Sequence, residues 1–386
     1  MKGNVRVLQH SEFSPDMLSQ LLQQQRLFTL DYLQRLVDND WIGPQHPELN
    51  PPLWEWLHLV WFQEYWCLRY RGEQQPLFAS MMPDADARFD SSLLAHDNRW
   101  WVTLPDIETS FDYGQRVLTQ VLEKIAGNLH APYFVELSLY HEAMHEENFM
   151  RRAQLLSQSF RTPPQHSLGQ SLLIDLPAQI VTLAPPAEKM FAFDNEKGHE
   201  QQSIAAVNIM NRLVTEFEFA EFVDAGGYQQ EAHWSQRGWQ WRTQQQAEQP
   251  LYWQRENGRW QLREFTFWRP PHVDQAMRYL NVYEAEAYGN WRGGRLPNSA
   301  EWLAASRDAR FVIAPCWEWL QNRFEPYQGF SPDPYRDYSQ TSFHSHQELR
   351  GHSPLLHTGL CRTGFRNYFA PARRDTCSGF RLVFSG

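Results

Sequence analysis

His141-Glu142-Ala143-Met144-His145, within the amphipathic stretch from Ala131 to Ser157, sets two imidazoles four residues apart. On an α-helix such residues stand one turn above each other on the same face, near enough to bind one metal ion. A pair is half a site, and the third ligand has to come from another element. His58 is the candidate, inside Pro51-Pro52-Leu53-Trp54-Glu55-Trp56-Leu57-His58-Leu59-Val60-Trp61-Phe62. That apolar, aromatic run predicts a second helix from about Pro52, a favourable starting residue, to Arg69. Two more elements complete a bundle. Residues 14 to 38 place Met17, Leu21, Leu22, Leu27, Leu30, Leu33 and Leu36 at near-helical spacing, and Phe111 to Gly127 ends at a Gly127-Asn128 break suited to a C-cap. Four helices with an irregular crossover from 70 to 108 predict a helical bundle, an architecture that builds metal sites between facing helices.

After residue 158 the pattern changes. Thr162-Pro163-Pro164-Gln165-His166 reads as a linker and divides the chain into a helical domain, 1–165, and a second domain, 166–386. Short apolar runs such as Ile180-Val181-Thr182-Leu183 and Met190-Phe191-Ala192-Phe193 alternate with turns. Helices are predicted at Thr215 to Val223, Glu284 to Trp291 and Ser299 to Ala305, with Gln244 to Gln246 as a solvated loop. The fold class is α+β in two domains, the second rich in loops.

Composition narrows the function. Among 386 residues the net charge is -10, which leaves no basic field for a nucleic acid partner. No apolar run approaches a membrane span, and Met1-Lys2-Gly3-Asn4-Val5-Arg6 lacks a signal-peptide core. Cys67, Cys316, Cys361 and Cys377 form no CxxC pair, as suits a reducing compartment, so a soluble cytoplasmic protein is expected. The aromatic content, 17 Trp, 15 Tyr and 24 Phe, can fill a loop-rich core or wall a pocket for a cationic ligand.

Five phrases of the second half stand in a specific order: Arg295-Leu296-Pro297-Asn298-Ser299-Ala300-Glu301-Trp302, Trp317-Glu318-Trp319, Leu349-Arg350-Gly351, Phe365-Arg366-Asn367 and Ser378-Gly379-Phe380-Arg381-Leu382. They resemble the formylglycine-generating-enzyme (C-type-lectin-like) fold, and the three-histidine half resembles DinB-like four-helix bundles. With His141-x-x-x-His145-x-Glu147 and Asp333-Pro334-Tyr335-Arg336-Asp337-Tyr338-Ser339, the chain as a whole is similar to the ergothioneine-type non-heme iron sulfoxide synthases and their selenoneine-synthase relatives. That resemblance implies His58, His141 and His145 as ligands to Fe(II), with zinc as a competitor for the same nitrogens. It implies dioxygen, hercynine and a thiol or selenosugar donor as small-molecule substrates, with carbon–selenium or carbon–sulfur bond formation at imidazole C2. Tyr335 matches a proton-donating tyrosine of the relatives. Tyr338 and Asn367 are implied to hold substrate, and Arg373 or Arg374 to meet an anionic or polar group. Glu147 is the expected carboxylate on an imidazole N–H. Trp317-Glu318-Trp319 and Arg295-Leu296-Pro297 read as fold signatures rather than chemistry.

Two departures bear on the donor. Cys361 and Cys377 do not reproduce the catalytic pair of formylglycine-generating enzymes. The region where ergothioneine-type enzymes carry an arginine pair for γ-glutamylcysteine reads Met82 to Trp100, acidic and aromatic, with isolated Arg88 and Arg99. This favours an uncharged selenosugar over a dicarboxylate. A Gly351-His352-Ser353-Pro354-Leu355-Leu356 turn also departs from the Gly-Gly-Ser pattern of relatives. Two rival readings are a DinB-like zinc- or nickel-dependent thiol transferase and a non-catalytic lectin-like module.

Overall fold

The computed structural model describes residues 13–39, 44–72, 76–161, 166–183, 191–355 and 358–385. The stretch Met1–Arg6, residues 162–165 of the expected linker, Met190 and Leu356 lie outside the described residues. Contacts divide the described chain into two compact units. One runs to Arg152 and also takes Phe191, and the other comprises Ala153 onward and Ala192 to the C-terminal side. Among the described residues no helix is long and apolar enough to cross a membrane.

The first unit is helical: α1 (Pro15–Asp38), α2 (Pro52–Glu64), a short α3 (Ala85–Phe89), α4 (Ile107–Ala126) and α5 (Pro132–Leu155), whose last turn passes the unit boundary. Ser14 and Asp106 cap α1 and α4 by accepting from the backbone N–H groups of Met17 and Thr109. The sequence of α2 is apolar all round because the helix is buried all round: every residue except Leu53 is enclosed. Its contact with α4 depends on Gly114, where a Cβ would stand 2.3 Å from Trp56 Cζ2. Buried charges are answered. The Glu64 carboxylate accepts from Tyr113 Oη at 2.5 Å, Ser80 Oγ at 2.5 Å and Met81 N at 2.7 Å.

The helix predicted to run on to Arg69 changes register instead. Tyr65–Arg69 is a π-turn, closed by Tyr70 N donating to Tyr65 O at 2.7 Å. Arg69, fully buried, makes two hydrogen bonds to Asp86, at 2.8 and 2.7 Å, and one to Phe78 O. The guanidinium thereby ties the end of α2 to the 82–100 crossover.

The second unit holds β1 (Leu173–Leu176), β2 (Gln179–Thr182), β3 (Gln201–Ile204), β4 (Val207–Met210), α6 (Glu216–Asp224), α7 (Gln236–Gln245), β5 (Trp253–Glu256), β6 (Arg259–Glu264) and β7 (Phe267–Arg269). These are followed by α8 (Val282–Arg292), α9 (Ser299–Ala305), β8 (Trp317–Arg323), β9 (Gln347–Gly351), β10 (Asn367–Phe369), β11 (Ser378–Gly379) and β12 (Val383–Ser385). β4 lies between β1 and β12, so the beginning and end of this unit share one sheet. β10-β9-β8-β11 form the largest sheet, in which β11 alone is parallel to its neighbour. Mixed helices and sheets over two units give the expected α+β class.

The quoted phrases of the second half are the joints of this fold. Arg295 grips Glu301 at 2.8 and 2.6 Å while Asn298 and Glu301 close a capping box at the start of α9. Glu318 of β8 meets Arg381 in a fully buried pair, at 2.6 and 2.8 Å, and the same guanidinium donates to the carbonyls of Met210, Asn211 and Val312. Gly379 has no alternative, since a Cβ there would meet Met277 O at 2.2 Å. Trp302, Leu320, Ile209, Val181 and Val383 pack as one apolar core beside these joints.

α7 is not predicted from the sequence pattern. Of its ten residues, Gly238 and Trp241 are buried, so no apolar stripe marks it, and Ser235 starts it by accepting from Gly238 N. Gln244 and Gln245 belong to this helix; Gln246, at φ 50°, is its left-handed C-cap.

Candidate functional site

His58 on α2 meets His141 and His145 on α5. Their ring centroids are 5.1, 5.3 and 4.7 Å apart, and one ligand atom from each ring lies within 4.8 Å of the others. Among the described residues this is the group of His, Cys, Asp and Glu side chains that converges well enough to hold an ion.

Hydrogen bonding at the far side of two rings fixes which nitrogen faces inward. His58 Nδ1 lies 2.7 Å from Phe89 O, and a carbonyl only accepts, so Nδ1 carries the proton. His145 Nδ1 lies 2.5 Å from Glu55 Oε1, which also accepts from Asn148 Nδ2 at 3.1 Å. In both rings Nε2 is left with its lone pair for a metal. His141 stacks on Phe62, 3.7 Å away at 9°. Trp54 stacks on His58 at 5.3 Å and 4°, and its ring also carries the Arg99 guanidinium at 4.4 Å.

Burial, with a smaller contribution from His145, pushes His58 down to about 3. Burial likewise holds His141 well below the ordinary imidazole range. Neutral rings are what a divalent ion requires of its ligands. The nearest acid in sequence does not intrude, since Glu142 turns away to Arg26, at 3.1 Å from both carboxylate oxygens, and to Thr29 Oγ1 at 2.8 Å. The donor set therefore fits a metal bound by three nitrogens.

The sequence nominated Glu147 to hold an imidazole N–H; the carboxylate found on His145 is Glu55. A signal for it exists, because Glu55 and His58 are three apart on α2 and share a face. No sequence signal marks the Phe89 carbonyl.

The other nominated residues lie in the second unit. Tyr335 opens a one-turn 3₁₀ helix, Arg336–Tyr338, with its ring 6.2 Å from that of Tyr338. Tyr338 stacks on Phe193 at 4.0 Å and 15°, and its carbonyl accepts from Tyr368 Oη. Burial raises the Tyr338 phenol well above its usual range, which keeps it protonated. Asn367, next to Tyr368 on β10, accepts from Tyr368 N through its own Oδ1. Tyr335, Tyr338 and the Asn367-Tyr368 pair thus form one aromatic neighbourhood. Arg374 is held by the buried Glu284 at 3.1 Å and by Gln249 O, and Arg373 by Asp375 at 3.0 Å with its guanidinium over Phe369 of β10.

Residues 168–314 match the FGE-sulfatase family, the sulfatase-modifying factor enzyme 1-like domain. The chain is 26% identical to a hercynine oxygenase of Mycobacterium tuberculosis over 96% of its own length and 99% of that protein's. It is 26% identical to a hercynine oxygenase of Mycolicibacterium smegmatis, over 88% and 92% of the two lengths, and 24% identical to one of Mycolicibacterium thermoresistibile, over 88% of each. Similarity to hercynine oxygenases along nearly the entire length, with an FGE-sulfatase domain following a helical unit, supports a place for this chain among the ergothioneine-type iron enzymes.

Proposed function

We propose that this protein is a non-heme Fe(II), dioxygen-dependent enzyme that joins selenium, delivered by a selenosugar, to imidazole C2 of hercynine. The observation that carries the reading is the trio His58, His141 and His145, converging from two helices, with His58 and His141 buried and held neutral. Fe(II) held there would supply the activation of dioxygen and a soft binding position for the chalcogen. In the balanced reaction, the hydrogens of C2–H and Se–H leave in one water with one oxygen atom of O2. The other oxygen remains on selenium as a carbon–selenium bond forms.

The chain's own residues divide the work. Phe89 O and Glu55 fix the tautomer and orientation of two ligands. Tyr335 is the proposed proton donor, a role open to a phenol O–H. Tyr338 and Asn367 are proposed to bind substrate, and the aromatic surroundings suit a trimethylammonium group. Arg373 and Arg374 are proposed to act at the site through the positions they hold against Asp375 and Glu284.

The choice of a selenosugar over γ-glutamylcysteine is supported by the 82–100 crossover. Arg88 donates to Thr103 O and lies over Phe89, while Arg99 donates to Asn50 Oδ1 at 2.9 Å and lies over Trp54. Both guanidinium groups are engaged within the protein, which suits a donor without paired carboxylates. The test is anaerobic loading with Fe(II), then an oxygen pulse with hercynine and either donor, with products read by mass spectrometry. A selenium adduct at C2 is expected from the selenosugar, and replacing His141→Ala should abolish both iron retention and product. Iron-loaded protein that converts neither donor overturns the assignment, and conversion of γ-glutamylcysteine alone overturns the selenium preference.

A further inference from the structure

Phe193-Asp194-Asn195-Glu196-Lys197 contains no metal ligand, yet it touches the tyrosine loop at both ends. At the loop's start, Lys197 Nζ donates to both oxygens of Asp333, at 2.7 and 2.6 Å. At its end, Ser339 Oγ donates to Asp194 Oδ1 at 2.5 Å and accepts from Asn195 Nδ2 at 3.1 Å. Between these points Phe193 stacks on Tyr338. Within the loop, a single 3₁₀ turn carries Arg336 N on Pro334 O at 3.1 Å and Tyr338 N on Tyr335 O at 3.4 Å.

The 193–197 turn is itself anchored to the sheet. Arg366, almost wholly buried, donates to Asn195 O at 2.7 Å and to Glu348 of β9 at 2.9 Å, with its guanidinium 3.9 Å from the centre of the Tyr327 ring. Glu196 closes the turn by accepting from Phe193 N at 2.9 Å and from Arg362 at 2.5 Å. A continuous path of hydrogen bonds therefore runs from the middle of β9 through Arg366 and Asn195 to Ser339.

We propose that residues 193–197 are a clamp that sets the position of the 333–339 loop, and that Lys197 and Asp194 are positioning residues for Tyr335. The proposal rests on the reading of Tyr335 as proton donor. A catalytic phenol on a short loop must be placed from outside the loop, because a displacement of about 1 Å is enough to cost up to ~100-fold in rate. The Lys197–Asp333 pair is partly exposed, at 34% and 15% of its side-chain surfaces. Such a pair adds little to folding, so its removal tests placement without unfolding the protein.

The test compares full-length Lys197→Met, Asp333→Asn and Lys197→Arg. Each is examined for Fe(II) binding, amide hydrogen exchange in residues 331–345, and turnover. Lys197→Met and Asp333→Asn should retain Fe(II) and exchange faster at Tyr335 to Tyr338. They should also lose about tenfold in kcat with KM unchanged, and the double replacement should be no worse than either single one. Lys197→Arg should recover most of the rate. Unchanged exchange in the loop overturns the clamp whether or not the wild-type protein turns over hercynine. A loosened loop with an unaltered kcat overturns the positioning role. Wild-type protein that is inactive with every donor defeats the functional reading instead, and the exchange rates still decide the clamp.

Discussion

Three imidazoles in the helical unit turn nitrogens toward one another, whereas the buried acids at the joints of the second unit face guanidinium groups. Glu318 has Arg381, and Glu348 has Arg366 and Arg350, all at or below 1% side-chain exposure. Both arrangements are polar and enclosed, but only one is complete. Glu318 and Arg381 satisfy each other and three carbonyls, and nothing further is needed for the network to be stable. His58 and His145 have partners on their outer nitrogens, and the nitrogens facing inward are left for an ion. Self-satisfied networks are scaffold, and convergent networks with one side unused are ligand sites.

The comparison breaks most visibly if a joint is cut. Arg381→Met leaves the Glu318 carboxylate buried without its counter-charge, for an expected loss of about 3–5 kcal/mol in urea or thermal unfolding. Glu318→Gln combined with Arg381→Met removes the stranded charge and should recover part of that loss. A single replacement that costs no more than a surface substitution would mean that the pair is not the closed joint described here.

Asp194 sharpens the contrast as an acid of the second unit that lacks a guanidinium. Its Oδ2 is buried without a hydrogen-bond partner among the described residues. Burial pushes its carboxyl up to about 6, with Ser339 lowering it, Asp333 raising it and Lys197 lowering it. The folded protein therefore holds a proton between about pH 4 and 6 that the unfolded chain releases. Stability from this group is present on the acid side and is lost as pH rises through 6, by about 3 kcal/mol over the window. Asp194→Asn should flatten that dependence. Equal slopes for wild type and variant between pH 4.5 and 7 would contradict the assigned shift.

How much of this was readable in the sequence follows from distance along the chain. The i,i+4 histidine pair and the aromatic, Pro-started helix carrying His58 were legible because helical periodicity is local. The joints of the second unit were legible as phrases, although the pairing of Glu318 with Arg381, 63 residues apart, was not. α7 escaped because it buries little. The π-turn at Tyr65–Arg69 escaped because the composition there is that of an ordinary helix; the Asp86 that binds its Arg69 lies on another element. The clamp joins residues more than 130 positions apart through ordinary side chains. The Phe89 carbonyl on His58 is backbone, which no residue pattern reports.

Glu55 was within reach of the sequence, and it gives the finest test of what separates a ligand site from scaffold. If its carboxylate serves the metal through His145, then Glu55→Gln, which keeps an acceptor of similar size toward Nδ1, should fold normally and bind Fe(II) more weakly. The expected loss is about 10- to 100-fold, or roughly 1.4–2.7 kcal/mol, the range typical of a carboxylate behind a ligating histidine. Competition with a chelator at neutral pH measures it, with Glu147→Gln as the comparison expected to leave affinity within about twofold. If Glu147→Gln weakened binding and Glu55→Gln did not, the acid two residues beyond His145 would be the one that matters. The 2.5 Å contact between His145 and Glu55 would then be packing rather than tuning.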